Sequence, residues 1–280
     1  MNFVEKKSII ASIVLYQHTA EDVQPTINSL LANDLVELIV LIDNAGCEWA
    51  NRLNNQRITY IKSENNNGFG HGHNQAIDKY INQCNYFIIC NPDIEFSADT
   101  IEILYTFART GNHRFIAPKI IYPDGKDQHV CRLLPTPIHM FLRRFLPFFS
   151  KHFNKKYELH EADYSQIFSV PAISGCFMFI ESELLNKLQG FDPRYFMYFE
   201  DVDLCRRALP YATPMFCADA TVTHAFAKGS YKNFTLMCHH VRSAIHYFNK
   251  WGWFFDIERR KINQKCMDRL PRLAKYHTEK

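Results

Sequence analysis

The chain has 280 residues, of which 47% are hydrophobic and 22% charged, and its formal net charge is +3. This length predicts one large domain or two small ones with a sizeable core, and so weak a positive charge gives no reason to expect a nucleic-acid partner. The nine cysteines form no CxxC pair, which favours reduced thiols and a cytoplasmic protein over a disulfide framework or a zinc site.

The first 120 residues alternate short β-branched runs with helical patterns. The first apolar run lacks a small-residue cleavage site and is interpreted as a buried strand, and no uncharged apolar stretch approaches the roughly 20 residues of a membrane span. Strands are predicted at 8–16, 37–43, 57–62, 86–90 and 115–122. Helices are predicted after a Thr19 cap, over 74–83, and from Ser97 to about Arg109.

This alternation predicts an α/β protein with a mainly parallel central sheet flanked by helices, an α/β/α sandwich. It is lost over 123–168, which is predicted to be an irregular insertion rich in aromatic and basic residues. Regular structure returns as a strand at 174–180 and a short helix at 181–190, and the segment 213–226 follows the carboxylate-rich block. The tail is helical, aromatic and basic, so we expect one domain over 1–230 and a C-terminal helical extension over 231–280.

Polar side chains follow three of the predicted strands, at Tyr16, Asp43 and Asp93. Ligands of parallel sheets bind beyond these strand ends, although a single acid there is more often a turn residue or a helix cap. A divalent cation at Asp93 would prefer oxygen ligands, keep several waters and complete its shell with phosphate. His224 is a candidate second ligand, because imidazole suits Mn²⁺ better than Mg²⁺; a structural histidine is the alternative.

The glycine-rich stretch ENNNGFGHGHNQAI (64–77) lies between a strand and a helix. It is not a dinucleotide fingerprint, because His73 occupies the position of the third glycine. Small residues would let the backbone approach a flat or phosphorylated ligand, with hydrogen bonds from Asn67 and Asn74. An Asn/Gly turn without a ligand is the alternative.

In FMYFEDVDLCRRA (196–208) carboxylates directly follow an aromatic run. Glu200 and Asp201 are expected in the first turn of a helix, where Asp203 can pair with an arginine three or four positions later. Glu200 or Asp201 is then left to face a cleft, with the aromatics as a wall for a sugar ring or lipid headgroup. An acidic N-cap beside a core aromatic cluster explains the segment equally well.

Taken together and in this order, the motifs resemble the family 2 inverting glycosyltransferases, most closely the rhamnosyltransferase-like branch of bacterial O-antigen and capsule assembly. The resemblance runs from about Ser8 to Ala227, and the block from Gly-Phe-Asp to Glu-Asp-x-Asp-Leu is its most specific part. It is carried by IVLY (13–16), LIDNAG (41–46), NNGFGHGHNQAI (66–77), NPDIEF (91–96), SGCFMFI (174–180), GFDPRYFMYFEDVDLCRRA (190–208) and VTHAFAKGS (222–230).

The resemblance implies a GT-A fold, a nucleotide-sugar donor and a divalent metal, Mg²⁺ or Mn²⁺. Carried over by position, the nucleotide sugar is expected at Tyr16, Asp43, Asn67, Gly68, Asn74 and Asp93. The metal is expected at Asp93 and His224, the catalytic base at Asp201 beside Glu200, and the acceptor at Ser174, Gly175 and Tyr198. Asn91 stands where the family has its first acid, which leaves one carboxylate to reach the metal.

No Gln-x-x-Arg-Trp motif follows, which implies nonprocessive addition of a single sugar. The resemblance therefore implies an inverting enzyme that moves rhamnose from dTDP-rhamnose to a glycan or polyprenyl-diphosphate-linked acceptor in cell-surface polysaccharide synthesis. Enzymes that use a UDP-linked galactose, glucose or N-acetylglucosamine donor stay open as alternatives. A noncatalytic nucleotide-sugar-binding protein is a further one.

Two segments, 139–156 and 239–261, place aromatic residues beside cations. Such segments can lie in an anionic membrane interface, so one interpretation is peripheral contact at the inner face of the cell membrane. The alternative for the second segment is a helix that packs its aromatics on the core or on a second copy of the chain.

Overall fold

The structure is a computed structural model and describes residues 8–140, 155–225 and 234–273. The strands are β1 (Ile9–Tyr16), β2 (Val36–Ala45), β3 (Ile58–Lys62), β4 (Tyr86–Cys90), β5 (Ile94–Glu95), β6 (Phe115–Ile121), β7 (Cys131–Arg132), β8 (Phe168–Ser169), β9 (Ala172–Ile173), β10 (Phe177–Glu181) and β11 (Met215–His224). The helices are α1 (Ala20–Leu31), α2 (Phe69–Tyr80), α3 (Thr100–Gly111), α4 (Ser182–Lys187), α5 (Glu200–Ala208), α6 (Phe234–Trp251) and α7 (Ile257–Arg269).

Within these ranges nine strands form one sheet, in the order β3-β2-β1-β4-β10-β6-β11-β5 with β8 also paired to β11. The four strands β1 to β4 run parallel. β10 runs antiparallel to both of its neighbours, β4 and β6, and β11 is parallel to β6. The first half of the sheet is therefore parallel and the second half is mixed, while β7 and β9 form a separate antiparallel pair.

The strand order reverses at β1, which pairs with β2 on one side and with β4 on the other. In open α/β sheets such a reversal opens a crevice at the carboxyl ends of the two strands, where ligands bind. β1 ends at Tyr16 and β4 ends at Cys90. The crevice therefore lies beside Tyr16 and beside residues 91–93.

Both central strands are apolar because helices cover both of their faces. β4 is buried along its whole length, and β1 is buried from Ile9 to Leu15. One polar pair crosses this core, where Ser12 Oγ lies 2.7 Å from Nδ1 of His73 on α2. Burial lowers the pKa of His73 to about 3, so its ring is neutral and ties α2 to β1 without burying a charge.

The strands predicted for the first 121 residues are confirmed, and so is the Thr19 cap, which forms a capping box with Asp22 at the start of α1. The helix expected from Ser97 begins instead at Thr100, because the Ser97 hydroxyl donates to the Asp99 carboxylate. The strand predicted over 174–180 begins only at Phe177. The two-residue strands β5, β7, β8 and β9 went unpredicted, since such short pieces show no periodicity.

The C-terminal helices α6 and α7 confirm the predicted helical extension and pack on α5. Asp203 is fully buried and accepts hydrogen bonds from Arg207, Lys250 and Trp251. Two cations and an indole therefore compensate one buried carboxylate and fasten α6 to α5. Arg207 is thus the partner of Asp203 on its own helix, whereas Arg206 pairs with Asp256.

Two predictions lie partly outside the described residues. The expected boundary between 1–230 and 231–280 falls in 226–233, and most of the aromatic and basic run at 139–156 falls in 141–154. None of the helices in the described ranges has the length and apolar character needed to cross a membrane.

Candidate active site

The candidate cation side of the site forms where two strands meet at the carboxyl edge of the sheet. Asp93 lies in the turn between β4 and β5, and His224 ends β11. β5 pairs with β11 so that His224 stands opposite Ile94, and the carbonyl of Asp93 accepts a hydrogen bond from the N–H of Ala225. This pairing brings Asp93 Oδ1 to 3.2 Å from His224 Nε2.

Gln128 sets the orientation of the His224 ring. Its Oε1 lies 2.9 Å from His224 Nδ1, and its Nε2 donates to the backbone carbonyl of His224 at 2.8 Å. Nδ1 therefore carries a proton, and Nε2 is directed toward Asp93 and the Asn91 amide. Burial alone would lower the pKa of His224, but hydrogen bonds to the Asp93 carboxylate and the Cys176 thiol raise it to about 9.

This pair has the donors that a divalent cation requires. The Asp93 side chain is 31% exposed and that of His224 is 4% exposed, so the carboxylate faces the crevice with the imidazole behind it. A cation bound together with a nucleotide needs only one or two protein ligands. No cluster of three or more His, Cys, Asp or Glu occurs among the residues described, which fits a two-ligand site better than a cage built from protein alone.

The opposite side of the site is the first turn of α5. Asp201 is half-buried and accepts hydrogen bonds from the N–H groups of Gly175, at 3.1 Å, and Val202, at 2.8 Å. Glu200 is only 6% exposed, and its Oε2 has no hydrogen-bond partner. Burial and the neighbouring Asp201 raise the pKa of Glu200 well above its usual range, so a negative charge on Glu200 is disfavoured.

Two consecutive residues connect the two sides. The N–H of Gly175 donates to Asp201, while the carbonyl of Cys176 accepts from the N–H of Asn91 at 2.9 Å. Asn91 stands two positions before Asp93. A Cβ added at Gly175 would lie 3.3 Å from Asp201 Cβ, so the backbone passes close beneath the carboxylate. Asp201 and the segment that carries Asp93 are therefore both tied to the loop that precedes β10.

The nucleotide side includes one buried acid and one exposed ring. Asp43, at the end of β2, is 1% exposed and accepts hydrogen bonds from the Tyr60 hydroxyl and the Cys47 N–H. Its carboxylate organises the 43–47 turn, and its contact with a nucleoside stays a prediction. Tyr16, at the end of β1, is 48% exposed and borders the crevice.

The glycine loop is joined to the segment 190–199. Gly68 has φ +98°, and a Cβ there would lie 1.9 Å from the carbonyl oxygen of Phe196, which accepts the N–H of Phe69. Both amide atoms of Asn74 bond the backbone of Phe191, each at 2.8 Å. Gly68 and Asn74 hold these two loops together, and their expected contact with the nucleotide sugar stays a prediction.

Asn67 remains exposed and borders a cavity of about 300 Å³ between α2 and α6. His71, Phe196, His239 and Arg242 also line this cavity. Phe196 stacks on His239 with ring centroids 4.1 Å apart. The cavity is therefore aromatic on one wall and cationic at its rim.

Part of the aromatic segment 195–199 packs inside the protein, as the alternative of a core aromatic cluster expected. Tyr195 and Phe199 are buried, and Phe199 contacts His240 and Tyr247 of α6. Tyr198, expected at the acceptor, is half-buried against His240. Of the run, Phe196 is the ring that borders the cavity.

Sequence reasoning missed two residues of this site, Arg132 and Gln128. Arg132 lies in β7, and the charges of Tyr157 and Asp201 raise its pKa against the effect of burial. Its Nε has no hydrogen-bond partner, so a cation with an unused donor stands near the carboxylate of Asp201. Neither residue lies in a recognisable motif, and no pattern in the sequence could have indicated it.

Gly68→Ala tests the junction between the loops. Gly125→Ala is the matched control, because Gly125 has φ +82° but nothing within 4 Å of an added Cβ. A left-handed φ alone costs about 1–2 kcal/mol for a residue with a Cβ, and at Gly68 the Phe196 backbone must also move. Urea titration should show a clearly larger loss of unfolding free energy for Gly68→Ala; equal losses would contradict this description.

A sheet that is parallel in its first half and mixed in its second, with helices on its faces and at its C-terminal end, is the architecture of GT-A glycosyltransferases. Residues 11–188, well over half of the chain, match the profile of Glycosyl transferase family 2. The chain belongs to that family, and the predicted fold and enzyme class are confirmed.

Several relatives show where the chain stands within the family. It is 24% identical over 201 residues to the low-salt glycan biosynthesis hexosyltransferase Agl10 of Haloferax volcanii, covering 70% of this chain and 61% of that protein. It is 27% identical over 204 residues to the rhamnosyltransferase WbbL of Escherichia coli K12, covering 70% and 75%. It is 30% identical over 122 residues to the N-acetylglucosaminyl-diphospho-decaprenol L-rhamnosyltransferase of Mycobacterium tuberculosis, covering 42% and 39%. The chain thus spans less than two thirds of the first and third of these relatives.

Solved structures share the fold at low identity. GalNAc-T7 with UDP, GalNAc and Mn²⁺ superposes with a TM-score of 0.63 at 14% identity, over 87% of this chain and 48% of that one. The mannosyltransferase PcManGT of Pyrobaculum calidifontis, in complex with GDP-Man and Mn²⁺, superposes with a TM-score of 0.57 at 12% identity, over 93% of this chain and 74% of that one.

Proposed function

We propose that this glycosyltransferase moves one rhamnose from dTDP-rhamnose to a glycan or polyprenyl-diphosphate-linked acceptor, with inversion, in cell-surface polysaccharide synthesis. The sugar is suggested by the two relatives named as rhamnosyltransferases, and the lipid-linked acceptor by the decaprenol-linked substrate in the name of one of them. The observation that carries the reaction type is the approach of Asp201 and Asn91 to the consecutive residues Gly175 and Cys176.

Asp201 serves as the general base in this proposal. A hydroxyl is a weak nucleophile, so a carboxylate must take its proton as the new bond forms. Burial and Asp201 raise the pKa of Glu200, which disfavours a second negative charge beside Asp201. The N–H of Gly175 aims the Asp201 carboxylate, and a base on the face opposite the leaving group gives inversion by direct displacement.

Asp93 and His224 hold the divalent cation in this proposal. Such a cation, when bound, neutralises the diphosphate and makes it a better leaving group. Gln128 keeps Nε2 of His224 directed at the position that the cation shares with Asp93. The nucleotide sugars and Mn²⁺ named for GalNAc-T7 and PcManGT support the same cofactor here.

The cavity beside Asn67 is the place we assign to the acceptor. Arg242 is exposed at its rim and has no acidic partner among the described residues. A guanidinium there suits a phosphate group of a lipid-linked diphosphate, and the Phe196 ring offers a flat apolar wall to a sugar. Ser174 and Gly175, expected at the acceptor, lie in the loop that precedes β10, where Gly175 donates to Asp201.

A donor panel tests the proposed function. Thermal unfolding would be measured with dTDP-rhamnose, UDP-galactose, UDP-glucose, UDP-N-acetylglucosamine and GDP-mannose, each with Mn²⁺ or Mg²⁺, and release of nucleoside diphosphate would be followed in parallel. We expect the largest stabilisation, and product, with dTDP-rhamnose. If a UDP-sugar instead gave the largest stabilisation and the product, that sugar would be the donor in place of dTDP-rhamnose. Stabilisation without product for every acceptor tried would favour a noncatalytic binding protein.

A further inference from the structure

The turn between α6 and α7 presents a cluster of large apolar side chains to solvent. The exposed fractions are 39% for Trp253, 55% for Phe254, 93% for Phe255 and 64% for Ile257. These residues are nearly consecutive, so their exposed surfaces adjoin. Scattered apolar residues on a surface are normal, but a contiguous cluster of this kind marks an interaction site.

The turn itself is well anchored. Asp256 is buried, accepts the N–H of Arg259 at the start of α7 and forms an ion pair with Arg206 at 2.7 Å. Arg259 in turn donates to the carbonyl of Trp253 at 2.8 Å. This network holds the backbone of the turn on its buried side, while Phe254 and Phe255 are exposed to solvent. Their exposure is therefore built into the fold of the turn.

Cations lie next to this cluster on α7. Arg260, Lys261, Lys265 and Arg269 are all exposed, and the last three repeat every four residues, so they share one face of the helix. Two exposed acids of the same helix, Glu258 and Asp268, only partly offset the four positive charges. The surface thus combines projecting aromatic rings with a row of cations.

We propose that the α6–α7 turn and the cationic face of α7 dock this enzyme on an anionic lipid bilayer. Aromatic rings next to cations match the boundary between acyl chains and anionic headgroups. Tyr247 and Phe248 of α6 do not take part, because both are buried in the core. This inference is independent of the proposed donor and acceptor.

Flotation of the whole protein with lipid vesicles tests the docking. Wild type should float with phosphatidylcholine–phosphatidylglycerol vesicles and much less with phosphatidylcholine alone, and added salt should weaken the binding. The double variant Phe254→Ser/Phe255→Ser should lose at least about tenfold in partitioning, given the apolar area that two phenylalanines bury. The Lys261→Gln/Lys265→Gln variant should lose its preference for the anionic vesicles.

Tyr211→Ser provides the matched control, since Tyr211 is 48% exposed and lies outside this surface; its binding should equal that of wild type. Thermal unfolding of each variant verifies that the fold is kept. Failure of the wild type to float, or equal flotation of the double phenylalanine variant, would overturn the proposal. Sedimentation showing that the phenylalanines instead hold a dimer, with no vesicle binding, would overturn it in favour of a second copy of the chain. Flotation does not require catalytic turnover, so its outcomes can be distinguished from those of the donor panel.

Discussion

The Asp201→Asn enzyme is expected to transfer sugar about 10²–10⁴ times more slowly than the native enzyme, which is the usual contribution of a general base. An amide cannot take the proton of the acceptor hydroxyl. Its oxygen can still accept the hydrogen bond that Gly175 donates to Asp201, so the loop should stay in place. The measurement is kcat at saturating donor, with donor affinity followed separately and expected to stay near the native value.

Two further variants separate the base from its surroundings. Glu200→Gln should keep most of the activity, because Glu200 is buried and its pKa is raised, so an uncharged amide is a close substitute. Asp219→Asn, which removes an exposed carboxylate from β11, should behave like the native enzyme. If Glu200→Gln abolished transfer while Asp201→Asn did not, the roles of the two acids would have to be exchanged.

Asp93→Ala should weaken Mn²⁺ binding by at least about 100-fold in the presence of nucleoside diphosphate and should lose turnover with it. Removing a metal ligand lowers metal affinity more than removing a residue that only orients the ligand. The latter change already lowers metal affinity about 10–100-fold. Gln128→Ala should weaken Mn²⁺ binding by about 10–100-fold, since Gln128 orients His224. Mn²⁺ titration by electron paramagnetic resonance measures both effects.

Asp78→Ala serves as the control for Asp93→Ala, because Asp78 is an exposed acid on α2. Chelation gives an independent check on the cation. Treatment with EDTA should abolish transfer, and added Mn²⁺ or Mg²⁺ should restore it. Full activity after EDTA, or unchanged Mn²⁺ binding by Asp93→Ala, would remove the proposed role of Asp93 and His224.

The sequence predicted the parts of the molecule whose signals are local. β1 and β4 are continuous apolar runs because they are covered on both faces, and their ends located Tyr16 and Asp93 at the crevice. Asp43 could be placed near the carboxyl end of β2 for the same reason, because an apolar run precedes it. The composition of these segments decides their structure, so the carboxyl edge of the sheet could be recognised before any coordinates.

Roles set by distant partners could not be predicted. Asn74 bonds the backbone of Phe191, 117 positions later in the chain, and no local pattern reports such a pairing. The aromatics of 195–199 looked like a binding wall, but helix α6 covers most of them. The exposed turn at 253–257 was likewise indistinguishable in sequence from the buried aromatics of α6.

The most direct test of the separate roles of Asp93 and Asp201 is Mn²⁺ binding by Asp201→Asn in the presence of nucleoside diphosphate. We predict native affinity in this variant, measured by electron paramagnetic resonance, alongside its loss of turnover. Such a result would separate the group that binds the cation from the group that accepts the proton. Loss of Mn²⁺ binding by Asp201→Asn, or native turnover in this variant, would contradict the account.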